Sequence, residues 1–304
     1  MKSMKLRSLR PLPFAVLALT PLATACDDHG DHGHDKTVEL RFAAQVGDEA
    51  FGCDKTFMGL GTSDSMANPL DFRLYVHDVR LVDSTGKQWP LEVTDDGLWQ
   101  RDGLTLLDFE DKTGTCINGT TPTNRFVRGT YDPGHDEPTI TGVTFKVGVP
   151  FELNHADVAT AKSPLNLSGL FWNWQGGYKF ARLDLSVMGA MPGEGGEGGH
   201  GAGGFNIHLG STGCELDAAT QTVSSCAAPN RGTIALTDYD PTTDTIVIDL
   251  AEAVKGLDLS TDGGGAPGCM SGKDDPECAS IFAAFGIDLT TGGPAQSQST
   301  FRVE

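Results

Sequence analysis

Apolar and polar positions alternate with a period near two along most of this chain. The clearest run is Val143, Phe145, Val147, Val149 and Phe151, interleaved with Thr144, Lys146, Gly148 and Pro150. That is the pattern of a strand with one face buried and one face wet. Shorter runs of the same kind occupy residues 38–43, 72–82, 178–187, 205–209, 234–236 and 245–250. Clusters of Gly, Pro, Asn and Asp separate them, and no long segment keeps the roughly 3.6-residue period of an amphipathic helix. The pattern predicts an all-β protein, an antiparallel β-sandwich with long loops.

The first 25 residues break this pattern. Lys2, Lys5, Arg7 and Arg10 precede an apolar run over 14–19, no acid is present, and the stretch ends Leu22-Ala23-Thr24-Ala25-Cys26. This predicts a signal peptide over residues 1–25. The run is far shorter than the roughly 20 residues of a spanning helix. Ala23-Thr24-Ala25-Cys26 resembles a bacterial lipobox, which would make Cys26 the lipidated first residue of an exported periplasmic or cell-surface protein. The expected contact with membrane is through that lipid anchor only; ordinary cleavage near Ala25 is the alternative. Residues 26–37 hold Asp27, Asp28, His29, Asp31, His32, His34 and Asp35 around two glycines and read as a flexible tether, with loose metal binding as a second reading. Residues 38–304 read as one β domain. In it, the Gly- and Glu-rich segment 191–204 is expected to be a long loop between two strands.

Seven cysteines less Cys26 leave six: Cys53, Cys116, Cys214, Cys226, Cys269 and Cys278. None forms a Cys-x-x-Cys pair, so three disulfides are expected over a thiolate metal site. The short spacings favour Cys214-Cys226 and Cys269-Cys278, leaving Cys53-Cys116; the other connectivities that six cysteines allow stay open. The leader takes four of the 22 basic residues and none of the 41 acidic ones, which moves the net charge from −19 to −23. A protein this acidic repels phosphate backbones and is not expected to bind nucleic acid.

No Gly-x-Ser-x-Gly elbow, His-Glu-x-x-His motif or other hydrolase signature occurs, and no enzymatic activity is expected. Asp238, Asp240 and Asp244 around Pro241 form an oxygen-rich cluster without the spacing of a calcium loop and read as a turn. Histidines and tryptophans are the informative residues. His208 alternates with Phe205, Ile207 and Leu209, so its ring faces away from their side and is open to a site. His155 follows the strand expected to end at Phe151, and His77 sits mid-strand. Trp172 and Trp174 flank Asn173 in a Gly-containing segment; an indole nitrogen only donates and cannot ligate a metal unmodified.

Three segments carry a resemblance: Leu153-Asn154-His155-Ala156-Asp157, Phe171-Trp172-Asn173-Trp174-Gln175-Gly176-Gly177-Tyr178-Lys179-Phe180 and Ile207-His208-Leu209-Gly210-Ser211-Thr212-Gly213-Cys214. Together with residues 72–82, 97–100 and 106–110 they resemble the MbnP-like family, methanobactin-associated partner proteins with a four-cysteine motif. The resemblance runs over about residues 38–249 and puts a C-terminal extension, with Cys269 and Cys278, from about residue 251. It implies an exported copper-binding protein, holding Cu(I) through histidines and a tryptophan oxidised to kynurenine by a partner MauG-like dihaem enzyme. It also matches the family cysteines to Cys53, Cys116, Cys214 and Cys226. His155 and His208 are the implied ligands, with His77 behind them. Trp172 and Trp174 rank above Trp99 as the oxidised residue because they lie between the two histidine motifs. A competing reading is an extracellular recognition module for glycan or protein, with calcium as the ion and Trp172 and Trp174 as a stacking platform.

Overall fold

The second of the predicted runs becomes the spine of the fold. In the computed structural model, which describes residues 35–188, 204–220 and 222–304, Ser65–Asp83 is a single strand of 19 residues. One of its edges pairs with Ala181–Val187 and then Ile140–Val147; the other takes Phe57–Leu60, Leu104–Asp108 and Gln88–Pro90. Gly204–Leu209 extends the sheet past Ala181–Val187, and Thr233–Thr237 extends it past Ile140–Val147. A second sheet is built on Lys36–Val46, which pairs antiparallel with Phe126–Tyr131 and parallel with Thr245–Asp249.

The two sheets close on each other through alternate side chains. Leu40, Phe42, Ala44 and Val46 point one way from their strand and are buried. Phe42 meets Phe145 of the large sheet edge-on at 5.7 Å, and Phe145 meets Phe301 at 5.5 Å. Each such ring withdrawn from water contributes about 1.5–3 kcal/mol, so the period-two pattern drives the sandwich directly. The all-β expectation holds.

Two predicted strand ends move. The strand expected to reach Phe151 stops at Val147, because Gly148 takes φ +134 and Pro150 lacks an amide to pair. Phe151–Asn154 is instead one helical turn. Leu250 likewise opens the helix Leu250–Val254, whose first turn is capped by the Asp249 carboxylate at 2.9 Å from the Ala251 amide. Helices this short leave no periodic signature in a sequence.

Residues past 251 are woven into both sheets. Gly268–Cys269 pairs with Gly204–Leu209, and Phe301–Val303 with Thr245–Asp249. Residues 34–304 form one compact unit. The strands Ala181–Val187 and Gly204–Leu209, on either side of the Gly-rich segment, pair with each other. Residues 191–203 themselves, like the signal peptide, Cys26 and the tether to residue 34, lie outside the described residues.

Disulfides join Cys53 to Cys116, Cys214 to Cys226 and Cys269 to Cys278, the pairing that the spacings favour. Three such bonds belong to a protein that folds outside the reducing cytoplasm. Among the described residues no helix is long and apolar enough to cross a membrane.

Candidate metal centre

Between Ile140–Val147 and Ala181–Val187 the chain leaves the sheet, and residues 148–180 form a cap over one of its faces. The cap is fastened by hydroxyls and a guanidinium. Tyr75 Oη donates to the Pro164 carbonyl at 2.8 Å, Tyr178 Oη to that of Leu165 at 2.5 Å, and Arg182 Nη1 to that of Gly169 at 3.1 Å.

Beneath it the sheet presents polar residues in place of apolar ones. Arg73 stands opposite Arg182, which stands opposite His208; Asp71 and Asp184 share that face. The intervening Phe72, Leu74, Leu183, Ile207 and Leu209 belong to the core. A covered polar face must satisfy itself, and this one does so as a row of alternating charge. Asp184 Oδ1 lies 2.8 Å from His208 Nε2, and Asp184 Oδ2 accepts from Arg182 Nε at 2.7 Å. Arg182 Nε is 3.2 Å from Asp71 Oδ2, while Asp71 Oδ1 accepts from Arg73 Nε at 2.7 Å and Oδ2 from Arg73 Nη2. Burial raises the Asp184 carboxyl, but the His208 hydrogen bond and the Arg182 charge outweigh it and hold the group below its ordinary value. Asp108, opposite Arg73, has less support: burial pushes it up to about 8 against the pull of Arg73, and its Oδ2 has no partner.

His208 is therefore not open as its alternation suggests. It does face away from Phe205, Ile207 and Leu209, yet it is only 7 % exposed, because the sheet is covered on both faces. Its Nε2 is committed to Asp184, which leaves Nδ1 as the ring nitrogen outside that bond. His77 lies on the same strand as Asp71 and Arg73. Its Nδ1 donates to the Gly148 carbonyl at 2.8 Å, and burial, only partly offset by that bond, lowers it to about 4. The ring is neutral at physiological pH, with Nε2 unprotonated.

His155 is on the cap, at the C-terminal end of the turn Phe151–Asn154. Its Nδ1 lies 3.2 Å from the Trp174 carbonyl; its Nε2 lies 3.3 Å from Asn154 Nδ2 and 3.6 Å from Cys226 Sγ. Burial lowers its pKa, against the Trp174 hydrogen bond. Asn154 is buried and accepts the Tyr178 amide at 3.0 Å. That contact requires Gly177, which adopts φ +81 and where a Cβ would meet Asn154 Nδ2 at 2.4 Å. The hairpin Thr212–Leu216 and Val223–Ala228, closed by Cys214-Cys226, is tied to the tryptophan segment by Gln175 Nε2, which donates to the Cys214 carbonyl at 2.9 Å.

The structure thus gathers His155, Trp174 and the hairpin disulfide. Trp172 reaches toward the His208 strand: a Cβ on Gly210, two residues past His208, would meet its ring at 2.4 Å. Trp172 is half-buried, and only Trp174, 49 % exposed, offers an open indole. His77, His155 and His208 share no hydrogen bond with one another. Trp99 sits apart, half-buried in the turn before Gln100–Arg101, its amide bonded to Asp96 Oδ1 at 2.7 Å. Around Pro241, Asp240 and Asp244 accept backbone amides of their own turn, as read from the sequence.

Two groups of three donor residues occur among the described residues: His155 with Cys214 and Cys226, and Glu110 with Cys53 and Cys116. In both the sulfurs are disulfide-bonded, so neither offers a thiolate. What sequence reasoning missed is the charged row. Its signal was present, since Asp71-Phe72-Arg73-Leu74 and Arg182-Leu183-Asp184-Leu185 alternate charge with apolar residues, but the sequence does not show that a cap buries the charged face.

Comparison with known proteins agrees with this architecture. No curated protein sequence matches the chain. The solved structure of MbnP from Methylosinus trichosporium superimposes with a TM-score of 0.75 at 30 % identity, covering 88 % of this chain and 98 % of that one. The MbnP family profile matches residues 35–271, so the family resemblance continues past 249 and takes in Cys269. On both grounds the chain belongs to the MbnP family.

Proposed function

We propose that this is an exported, non-enzymatic copper-binding protein that holds Cu(I) through His155 and His208, with His77 as a further candidate. In this reading Trp172 or Trp174, with Trp99 behind them, is oxidised to kynurenine by a MauG-like dihaem partner, and Cys26 carries a lipid anchor. The observation that carries it is the way the ring nitrogens are committed. A metal-binding histidine characteristically gives its other nitrogen to a carboxylate or carbonyl, which fixes the tautomer. His208 gives Nε2 to Asp184 and His155 gives Nδ1 to the Trp174 carbonyl, which leaves the second ring nitrogen of each outside that bond. Neutral imidazole suits copper, and burial favours the neutral form of His155.

The tryptophan belongs to the same argument. An indole nitrogen has no lone pair to give; opening the five-membered ring leaves an aniline nitrogen beside a carbonyl. The residue gains one oxygen and loses one carbon overall, a mass change that peptide mass spectrometry locates. Protein from the native host is expected to carry that change on Trp172 or Trp174 and to hold one copper tightly, and protein made without the partner enzyme to bind it weakly. Tight copper in native protein with all three indoles intact would remove the kynurenine, and native protein without copper would remove the reading.

A further inference from the structure

Methionine is ordinarily a buried side chain, yet Met58, Met66 and Met188 are 75 %, 39 % and 48 % exposed. Met58 and Met66 lie on adjacent strands, and Met188 directly follows the end of the next strand, Ala181–Val187. Phe57 stands opposite Ala67 and Leu60 opposite Ser65, so Met58 and Gly59 share the place beside Met66. On the other edge Val187 stands opposite Ala67, and the Met188 amide donates to the Met66 carbonyl at 2.8 Å. Phe57, Ala67 and Val187 are buried, so the alternation of strand side chains sends the three methionines to the solvent face together. Side chains in such opposed positions start about 5 Å apart. The unbranched thioether arms, each with three rotatable bonds, can converge from there.

We infer that Met58, Met66 and Met188 form a thioether site for a soft monovalent metal ion, Cu(I) or Ag(I). Thioether sulfur is soft and uncharged, which selects Cu(I) over hard or divalent cations, and the net acidity of the chain draws cations to its surface. The backbone of a rigid sheet fixes the three positions before any ion arrives. At about 3.3 Å per residue, Met66 lies roughly 20 Å along its strand from Arg73, which is level with His208. The site is separate from the histidines and does not depend on the function proposed for them.

The test is Ag(I) titration of the full chain, followed through the methionine methyl signals by NMR at neutral pH and at about pH 5. Thioethers bind no proton, so binding is expected to persist where imidazole protonates. One Ag(I) should move the Met58, Met66 and Met188 methyls together while Met270 stays in place. The triple variant M58L/M66L/M188L should lose this binding about tenfold or more, and H155A/H208N should keep it. Methyls that do not respond to Ag(I), or binding lost at the lower pH, would overturn the inference and mark the row as an apolar docking patch. The methyl titration of the unaltered chain decides the question even if the triple variant folds poorly.

Discussion

His208 and His155 are held in opposite ways. His208 projects from a strand of the large sheet into a row of buried charge, Asp184, Arg182, Asp71 and Arg73, in which each member fixes the next. His155 stands at the end of a four-residue helix, too short to persist alone, and is placed by a carbonyl, an amide and a neighbouring disulfide on the cap. The first is set by packing that the whole fold maintains; the second is set by a local loop cluster that can adjust. A site assembled from both has one rigid wall and one adaptable wall, and the two should fail differently when broken.

The largest difference should appear in stability. Asp71→Ala strips a buried carboxylate from between Arg73 and Arg182 and is expected to cost about 3–5 kcal/mol, since it leaves charge buried without a partner. His155→Ala, on the half-buried cap, should cost under about 1 kcal/mol. Urea denaturation of both variants measures this. Equal costs would mean that the cap is as integral to the fold as the sheet face.

The next effect is a pH dependence carried by His77. In the unfolded chain this ring takes its proton near 6.5, in the folded protein only near 4. Between those values the unfolded state binds more protons, so stability is full above about 6.5 and falls as pH drops toward 4. At about 1.4 kcal/mol per pH unit the loss approaches about 3 kcal/mol. His77→Asn should flatten that part of the stability profile relative to the unaltered protein. A variant whose profile runs parallel to it would show that His77 is protonated in the folded state.

Much of the rigid region was legible beforehand and little of the adaptable one. Strands such as Phe205–Leu209 announce themselves because period-two burial is a local property, and short spacings favour two of the three disulfides, Cys214-Cys226 and Cys269-Cys278. The burial of His208 could not be read, since it depends on residues 148–180 folding back over a face that looks solvent-exposed in the sequence. Nor could the approach of His155 to Cys226, 71 residues away, or the row of Met58, Met66 and Met188, which exists only once strand register is fixed. Motif resemblance singled out His155 and His208 but said nothing of the carboxylate and carbonyl that orient them.

Asp184 links the rigid wall to the proposed copper chemistry. Asp184→Asn keeps the shape but weakens the hold on His208 Nε2, and loss of such an orienting partner typically costs 10–100-fold in metal affinity, roughly 1.4–2.8 kcal/mol. Copper affinity of natively modified protein is the readout. An unchanged affinity, with the variant folded, would take His208 out of the ligand set while leaving His155 in it.

The smallest expected effect has the opposite sign and tests whether the charged row carries one carboxyl too many. Asp108 Oδ1 lies 3.1 Å from the Glu110 amide, but its Oδ2 is buried without a partner, and burial raises the group to about 8 from 3.8. Between those values the folded state binds more protons than the unfolded one, so Asp108 makes stability fall as pH rises. Asp108→Asn cannot ionise, keeps a carbonyl oxygen for the Glu110 amide and should be more stable than the unaltered protein at pH 7 by about 1–2 kcal/mol. The gap should close at about pH 3, below both values, where the aspartate is neutral in both states. Denaturation at the two pH values decides the matter: a variant destabilised at pH 7 would show that Asp108 is ionised and belongs to the row as a working partner of Arg73.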